Sequence, residues 1–180
     1  MDNKTILKNN LIDITKVLNN HSIPSFLLFG TLLGIVRDND FINGDLDVDI
    51  GVIIPGGIDL NAWFKIFKNL EQLGFTLRRA GTSSVITLDR GFGLDIWWVF
   101  KKWDENKKSY YGIRGWNGEF VYPVQNFDAL SDITWQNKTF KIPFNPELYL
   151  ETTYGKDWKI PNPNFKHPGD SPCFTPNRRV

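Results

Sequence analysis

Apolar side chains at Leu7, Leu11, Ile14 and Leu18 recur with 4-3-4 spacing, which places them on one face of a helix over residues 4–20. Pro24 ends that pattern, and Phe26 to Phe29 is a continuous apolar run of the length of a short buried strand. Gly30-Thr31 then opens a short helix carrying Leu32, Leu33, Ile35 and Val36. From Asp45 to Ile54 the period changes to two: Asp45, Asp47 and Asp49 alternate with Leu46, Val48 and Ile50. A strand with this pattern carries three carboxylates on one side, about 6–7 Å apart, and turns its apolar residues toward a core. Pro55-Gly56-Gly57 reads as a turn, and Asp59 as the cap of a helix that Gly74 ends. Trp63, Phe64, Phe67 and Leu70 are expected to line one side of that helix.

Three strands follow, Phe75 to Arg79, Val85 to Asp89 and Leu94 to Phe100, split by Gly81 and by Gly91-Phe92-Gly93 into a meander. Residues 101–108, with four lysines and two acids, read as a solvated loop, and Tyr110 to Tyr122 as a hairpin or an irregular lid. Ile133 to Gln136 and Thr139 to Ile142 flank Asn137-Lys138 as a second hairpin. Pro146 to Tyr154 is a short helix closed by Gly155. Five of the ten prolines fall in residues 161–180, which makes that stretch extended rather than helical. The organisation expected is one α+β domain over residues 1–160 with a peripheral Pro-rich tail over 161–180.

Composition narrows the partners. The chain of 180 residues carries 21 Lys+Arg against 20 Asp+Glu, a net charge of +1. So weak a field excludes a general nucleic-acid coat or a polybasic membrane anchor as the main surface. One cysteine, Cys173, excludes an internal disulfide and a thiolate metal cluster. Met1 to Lys8 is polar and the apolar runs are short, so a cytoplasmic chain without signal peptide or membrane span is expected. His21 and His167 have no spaced partner and read as surface residues.

The aspartate strand is where chemistry enters. Three like charges in register repel one another unless a cation relieves them, and hard divalent cations take several carboxylate oxygens on a rigid element. The pattern D-x-D-x-D opens an EF-hand loop, but Ile50 stands where glycine is needed and Gly56 where glutamate is needed. A Mg²⁺ or Mn²⁺ site is the functional reading; an exposed edge face kept soluble by its acids is the structural one. Asp95, alone inside the apolar run from Leu94 to Trp98, supplies a further carboxylate if its strand neighbours the first. Gly30-Thr31 at a helix start offers amides and a hydroxyl to an anion, and Arg37 lies within reach of the same place.

These residues in this order resemble the fukutin/LicD family of nucleotidyltransferase-fold phosphotransferases. The matching stretches are F-G-T-L-L-G-I-V-R (Phe29 to Arg37), F-I-N-G-D-L-D-V-D-I-G (Phe41 to Gly51), G-L-D-I-W-W (Gly93 to Trp98) and Y-L-E-T-T-Y-G-K-D-W-K-I-P (Tyr149 to Pro161). The resemblance implies a polymerase-β-like core, a mixed central sheet flanked by helices. It implies a CDP-activated small alcohol as donor, a glycan or glycolipid hydroxyl as acceptor, and CMP as the released product. By motif position Asp47 and Asp49 would hold the metal, with Asp95 as third ligand and base. Gly30, Thr31 and Arg37 would lie on the diphosphate, and Tyr154, Lys156 and Trp158 on the nucleotide or under it.

Two other functions compete. A nucleotidyltransferase adding a nucleoside monophosphate to a small molecule, a protein or an RNA end would use the same metal site. A catalytically silent glycan-binding module would instead use the aromatic residues between Trp97 and Trp116.

Overall fold

The computed structural model describes residues 2–54, 59–80, 85–115 and 117–177, with side chains at all of these but 79 and 80. The first helix, α1 (Asn3–Asn20), starts where the Asp2 carboxylate accepts the Thr5 N–H, and it buries the predicted stripe of Leu7, Leu11, Ile14 and Leu18. Strand β1 (Ser25–Leu27) leads through Leu28 into α2 (Phe29–Asp38), so the chain already turns helical at Phe29. After β2 (Asp47–Ile53), α3 (Leu60–Gln72) is capped by Asp59, whose carboxylate accepts the N–H groups of Asn61 and Ala62. The face that α3 buries is Trp63, Ile66 and Leu70, while Phe64 points outward at 62% exposure, against the pattern expected of it. The turn read at Pro55-Gly56-Gly57, Gly81 and Trp116 lie outside the described residues.

The meander appears as β3 (Thr76–Ala80), β4 (Val85–Asp89) and β5 (Gly93–Trp103). Strand β5 outruns its predicted end and takes up Lys101 to Trp103 of the expected loop, because those residues pair with β6 (Ser109–Arg114). Strand β6 and β7 (Gly118–Pro123) form a regular hairpin, with Tyr110 opposite Pro123 and Arg114 opposite Glu119. A single 3₁₀ turn (Val124–Asn126) precedes the separate hairpin of β8 (Leu130–Trp135) and β9 (Lys138–Pro143). Its turn is centred one residue earlier than the asparagine signal suggested: Gln136 and Asn137 both have positive φ, 46° and 62°, as a primed hairpin turn requires. Helix α4 (Pro146–Tyr154) follows, and Phe174–Pro176 forms β10.

The eight-stranded sheet runs β1-β2-β5-β6-β7-β10, with β4 joined to β5 and β3 to β4. The β2–β5 pair is parallel and the other described pairs are antiparallel, so the sheet is mixed. Helix α1 packs on β1, β2 and α3, and α2 packs on β2 and α4. The core beneath them includes Phe26, Phe41, Val48, Ile50, Ile96, Phe120, Tyr122 and Phe127, all buried.

Residues 161–177 lie against this body. Strand β10 pairs with β7, Phe174 opposite Phe120, and the Ser171 hydroxyl donates to the Thr153 carbonyl at 2.6 Å. No helix among the described residues is long and apolar enough to cross a membrane.

Candidate active site

Strands β2 and β5 bring the predicted carboxylates together. Their parallel register sets Asp47 opposite Gly93 and Asp49 opposite Asp95. Glycine suits the first position because a Cβ there would stand 3.0 Å from that of Asp47. One carboxylate oxygen from each of Asp47, Asp49 and Asp95 falls within 4.8 Å of the others. Asp49 is buried, and Asp47 and Asp95 are half-buried. Asp95 Oδ1 is buried with no hydrogen-bond partner, an acceptor aimed at nothing the protein supplies. A cluster of oxygen donors with an orphaned buried acceptor is chemically suited to a hard divalent cation.

The fourth acid behaves differently from its expectation. Ladder pairing starts at Asp47, so Asp45 precedes the strand in a turn after Gly44 (φ 86°). Leu46, expected to face the core, is 59% exposed. Asp45 nonetheless joins the site: a Cβ on Gly30 would stand 2.9 Å from its Oδ2 and 3.7 Å from Asp49 Oδ2. A side chain there would displace the Asp45 carboxylate.

Crowding and burial keep these acids protonated more readily than in water. Asp49 is raised well above the ordinary carboxyl value, first by burial and then by the charges of Asp47 and Asp95, with the Trp97 Nε1–H bond to its Oδ1 (2.9 Å) opposing. Asp45 is pushed up to about 7 by burial and then by Asp47. Asp95 rises to about 6 from burial, held back by a hydrogen bond from Thr87, its partner across β4–β5. In each case burial is the first cause and a neighbouring carboxylate adds to it.

The N-terminus of α2 meets this cluster at Gly30, and no side chain caps it. Phe29 occupies left-handed backbone (φ 40°), with its N–H donated to the Tyr149 hydroxyl at 3.2 Å. Thr31 is fully buried, and its hydroxyl accepts the Asp49 N–H at 2.9 Å, locking α2 to β2. It is therefore committed to scaffold at one lone pair. Arg37 makes a bidentate pair with Asp38 (2.8 and 2.7 Å), which raises its basicity further. Tyr154 feels the charges of Asp49, Asp45 and Arg37, and burial first of all raises its hydroxyl well above the ordinary value. Trp158 is buried in the core with Lys159 over its ring at 5.1 Å, whereas Lys156 is exposed at the end of α4. Of the nine residues expected at the site, the three acids, Gly30 and Thr31 converge; Arg37 and Tyr154 border them; Trp158 packs in the core and Lys156 is exposed.

Trp97 and Tyr149 escaped notice as individual contributors. The indole holds a site carboxylate and the phenol holds the entry to α2, yet aromatic residues in apolar runs read as core. Nothing local distinguishes them.

Residues 22–145 match the LicD/FKTN/FKRP nucleotidyltransferase domain. Over 176 residues the chain is 26% identical to ribitol-5-phosphate transferase FKTN of Macaca fascicularis and to that of Homo sapiens. Both alignments cover 90% of this chain and 35% of the relative, so the chain spans about a third of those proteins. Among solved structures, the antibiotic-resistance factor ANT(2'')-Ia aligns with a TM-score of 0.56 at 12% identity, over 91% of this chain and 78% of that one. The lincomycin-bound lincosamide adenylyltransferase LnuA aligns at 0.50 and 14% identity, over 75% and 78%. These likenesses give the fold, the polymerase-β-like nucleotidyltransferase fold, with the mixed α+β sheet described above. With more than half its length inside the matched domain, the chain belongs to the LicD/FKTN/FKRP family, whose members are transferases of phosphorus-containing groups.

Proposed function

We propose that this domain transfers a phosphoalditol or phosphocholine from a CDP-activated donor to a glycan hydroxyl and releases CMP. The observation that carries the reading is the carboxylate cluster beside the uncapped start of α2: Asp47, Asp49 and Asp95 within 4.8 Å, with Asp95 Oδ1 orphaned. The name of the two mammalian relatives favours an alditol phosphate over phosphocholine. Asp47, Asp49 and Asp95 would hold Mg²⁺ or Mn²⁺, and a bound ion there supplies positive charge to the phosphate oxygens as the bond order changes.

The chain's own groups have the remaining tasks. The amides at Gly30 and Thr31 receive donor phosphate at the positive end of α2. Arg37, Tyr154 and Lys156 line the way for the rest of the donor, and Trp158 supports them from beneath. The acceptor oxygen forms a bond to the β-phosphorus, the bridging P–O bond to CMP breaks, and its electron pair leaves with CMP. The acceptor proton passes to Asp95, which serves as general base. Trp97 and Thr31 hold Asp49 in place from opposite atoms, its carboxylate and its amide.

The test is turnover with a panel of CDP-alcohols and Mn²⁺ or Mg²⁺, read by mass spectrometry of the acceptor. A gain of phosphoalcohol is expected, lost in the Asp47→Asn/Asp49→Asn double variant while its circular dichroism stays native. A gain of nucleotide would reassign the enzyme as a nucleotidyltransferase. An active double variant, or glycan binding with no metal-dependent binding of CDP compounds, would overturn the reading.

A further inference from the structure

The imidazole of His167 is a group that this chemistry leaves unused. The ring stacks on Phe120, with centroids 5.0 Å apart and planes 13° apart, and meets Phe29 edge-on at 4.9 Å. Phe120 and Phe29 are buried beneath it, whereas His167 is exposed. One face of the imidazole is therefore against Phe120, which leaves the exposed surface of the residue to its other face and its ring edges. The Tyr154 ring stands 6.4 Å away on the same side of the molecule.

Position gives this open face its meaning. Phe29 is bonded directly to Gly30, and Gly30 abuts the carboxylates of Asp45 and Asp49. Tyr154 lies in the field of Asp45, Asp49 and Arg37. His167 thus forms a platform at the rim of the site, next to the helix start that would take phosphate. The segment carrying it is held on both sides. Lys166 N–H bonds Asp170 Oδ2 at 2.8 Å, Ser171 bonds the Thr153 carbonyl, and β10 extends the sheet from Phe174. A platform so anchored has little freedom left to lose on binding.

We infer that the open face of His167 stacks the base of a nucleotide whose phosphates occupy the carboxylate site. This rests on the proposed use of a nucleotide-activated donor. Although the residue is exposed, desolvation on the side packed against Phe29 and Phe120 lowers the imidazole to about 4, so the ring is neutral at physiological pH and offers a π-face rather than a charge. Bases stack on such faces with little preference for sequence, and the extended column would run Phe120, His167, base.

Calorimetry in Mn²⁺ with two probes, CDP and inorganic pyrophosphate, tests this. His167→Leu keeps an apolar cover over Phe29 and Phe120 but removes the ring; His167→Phe keeps both. CDP affinity is expected to fall about tenfold in the Leu variant and to persist in the Phe variant, with pyrophosphate binding and thermal midpoint unchanged in both. Equal CDP affinity in the Leu variant and the wild type would overturn the stacking role and leave the proposed function intact. So would an equal loss for pyrophosphate, or a loss confined to the glycan acceptor. A wild-type protein that takes Mn²⁺ and pyrophosphate but no CDP would overturn the nucleotide donor itself, and the stack with it.

Discussion

Tyr122, Tyr149, Thr153 and Ser171 form one buried polar cluster, Asp45, Asp47, Asp49 and Asp95 form a second that is only partly buried, and Phe29 links the two. In the first, each hydroxyl has a partner: Tyr122 with Thr153 (3.2 Å), Thr153 with the Tyr149 carbonyl (2.9 Å), Ser171 with the Thr153 carbonyl, and Tyr149 with Phe29 N–H. The rings of Tyr122 and Tyr149 stack at 5.2 Å, and burial pushes the Tyr149 phenol well above its ordinary value, clear of ionisation. In the second, the groups are alike in charge and one buried oxygen has no partner. A satisfied neutral network rigidifies a fold, whereas an unsatisfied charged one costs stability until a ligand completes it. The first cluster has the character of scaffold and the second that of the site proposed above.

The comparison is broken most forcefully at Asp49. Asp49→Asn is expected to lower turnover about a thousandfold or more, while the metal-free protein gains thermal stability because a buried acid with like-charged neighbours is replaced by an amide that cannot ionise. A metal-free variant less stable than wild type would place Asp49 in the scaffold.

The pH dependence of stability separates the clusters next. Burial raises Asp95 to about 6, Asp45 to about 7 and Asp49 well above the ordinary carboxyl value, so the folded state binds more protons than the unfolded chain. Stability from these neutral acids is whole below about pH 4, the unfolded value, and drains as pH rises through the folded values. In EDTA the melting midpoint should fall by about 5 °C or more between pH 5 and pH 8, and Mn²⁺ should remove much of that fall. A flat profile in EDTA would show the acids already compensated.

Thr31→Val tests the join between scaffold and site. Removing the hydroxyl leaves the buried Asp49 N–H unpaired, at about 1–3 kcal/mol by urea denaturation. Tyr149→Phe unpairs the Phe29 N–H in the same way but from a longer bond, 3.2 Å against 2.9 Å, and keeps the ring stack, so it should cost less, about 1 kcal/mol. If Tyr149→Phe were the costlier, the entry to α2 would depend on the phenol more than on the β2 contact.

Some of this was open to reading along the chain. The stripe of α1 follows from the spacing of its apolar residues, whereas the Asp2 cap that starts it was not read from the sequence. The alternation in Asp47–Ile50 told which side chains share a face, and burial of Val48 and Ile50 agrees. The same rule failed at Leu46, one residue before the ladder begins, because alternation has no force where the chain is still turning. It failed at Phe64 too, where hydrophobicity marks a side chain as apolar but not as covered. For residues 161–177, prolines announced an extended chain without saying what it lies on.

What the sequence by itself determined was therefore local: which residues alternate, where helices start, and that Asp47-x-Asp49, Gly30-Thr31 and Asp95 are chemically notable. The tertiary structure decided which of them meet. Periodicity reports the pressure to bury one face of an element, and a strand with that face satisfied accepts many neighbours. Only the parallel pairing of β2 with β5 sets Asp49 beside Asp95, 46 residues later in the chain. Only the pairing of β10 with β7 brings the tail, and His167 with it, to the aromatic rim of that site. Those choices are made by packing between distant segments, which no window of neighbouring residues contains.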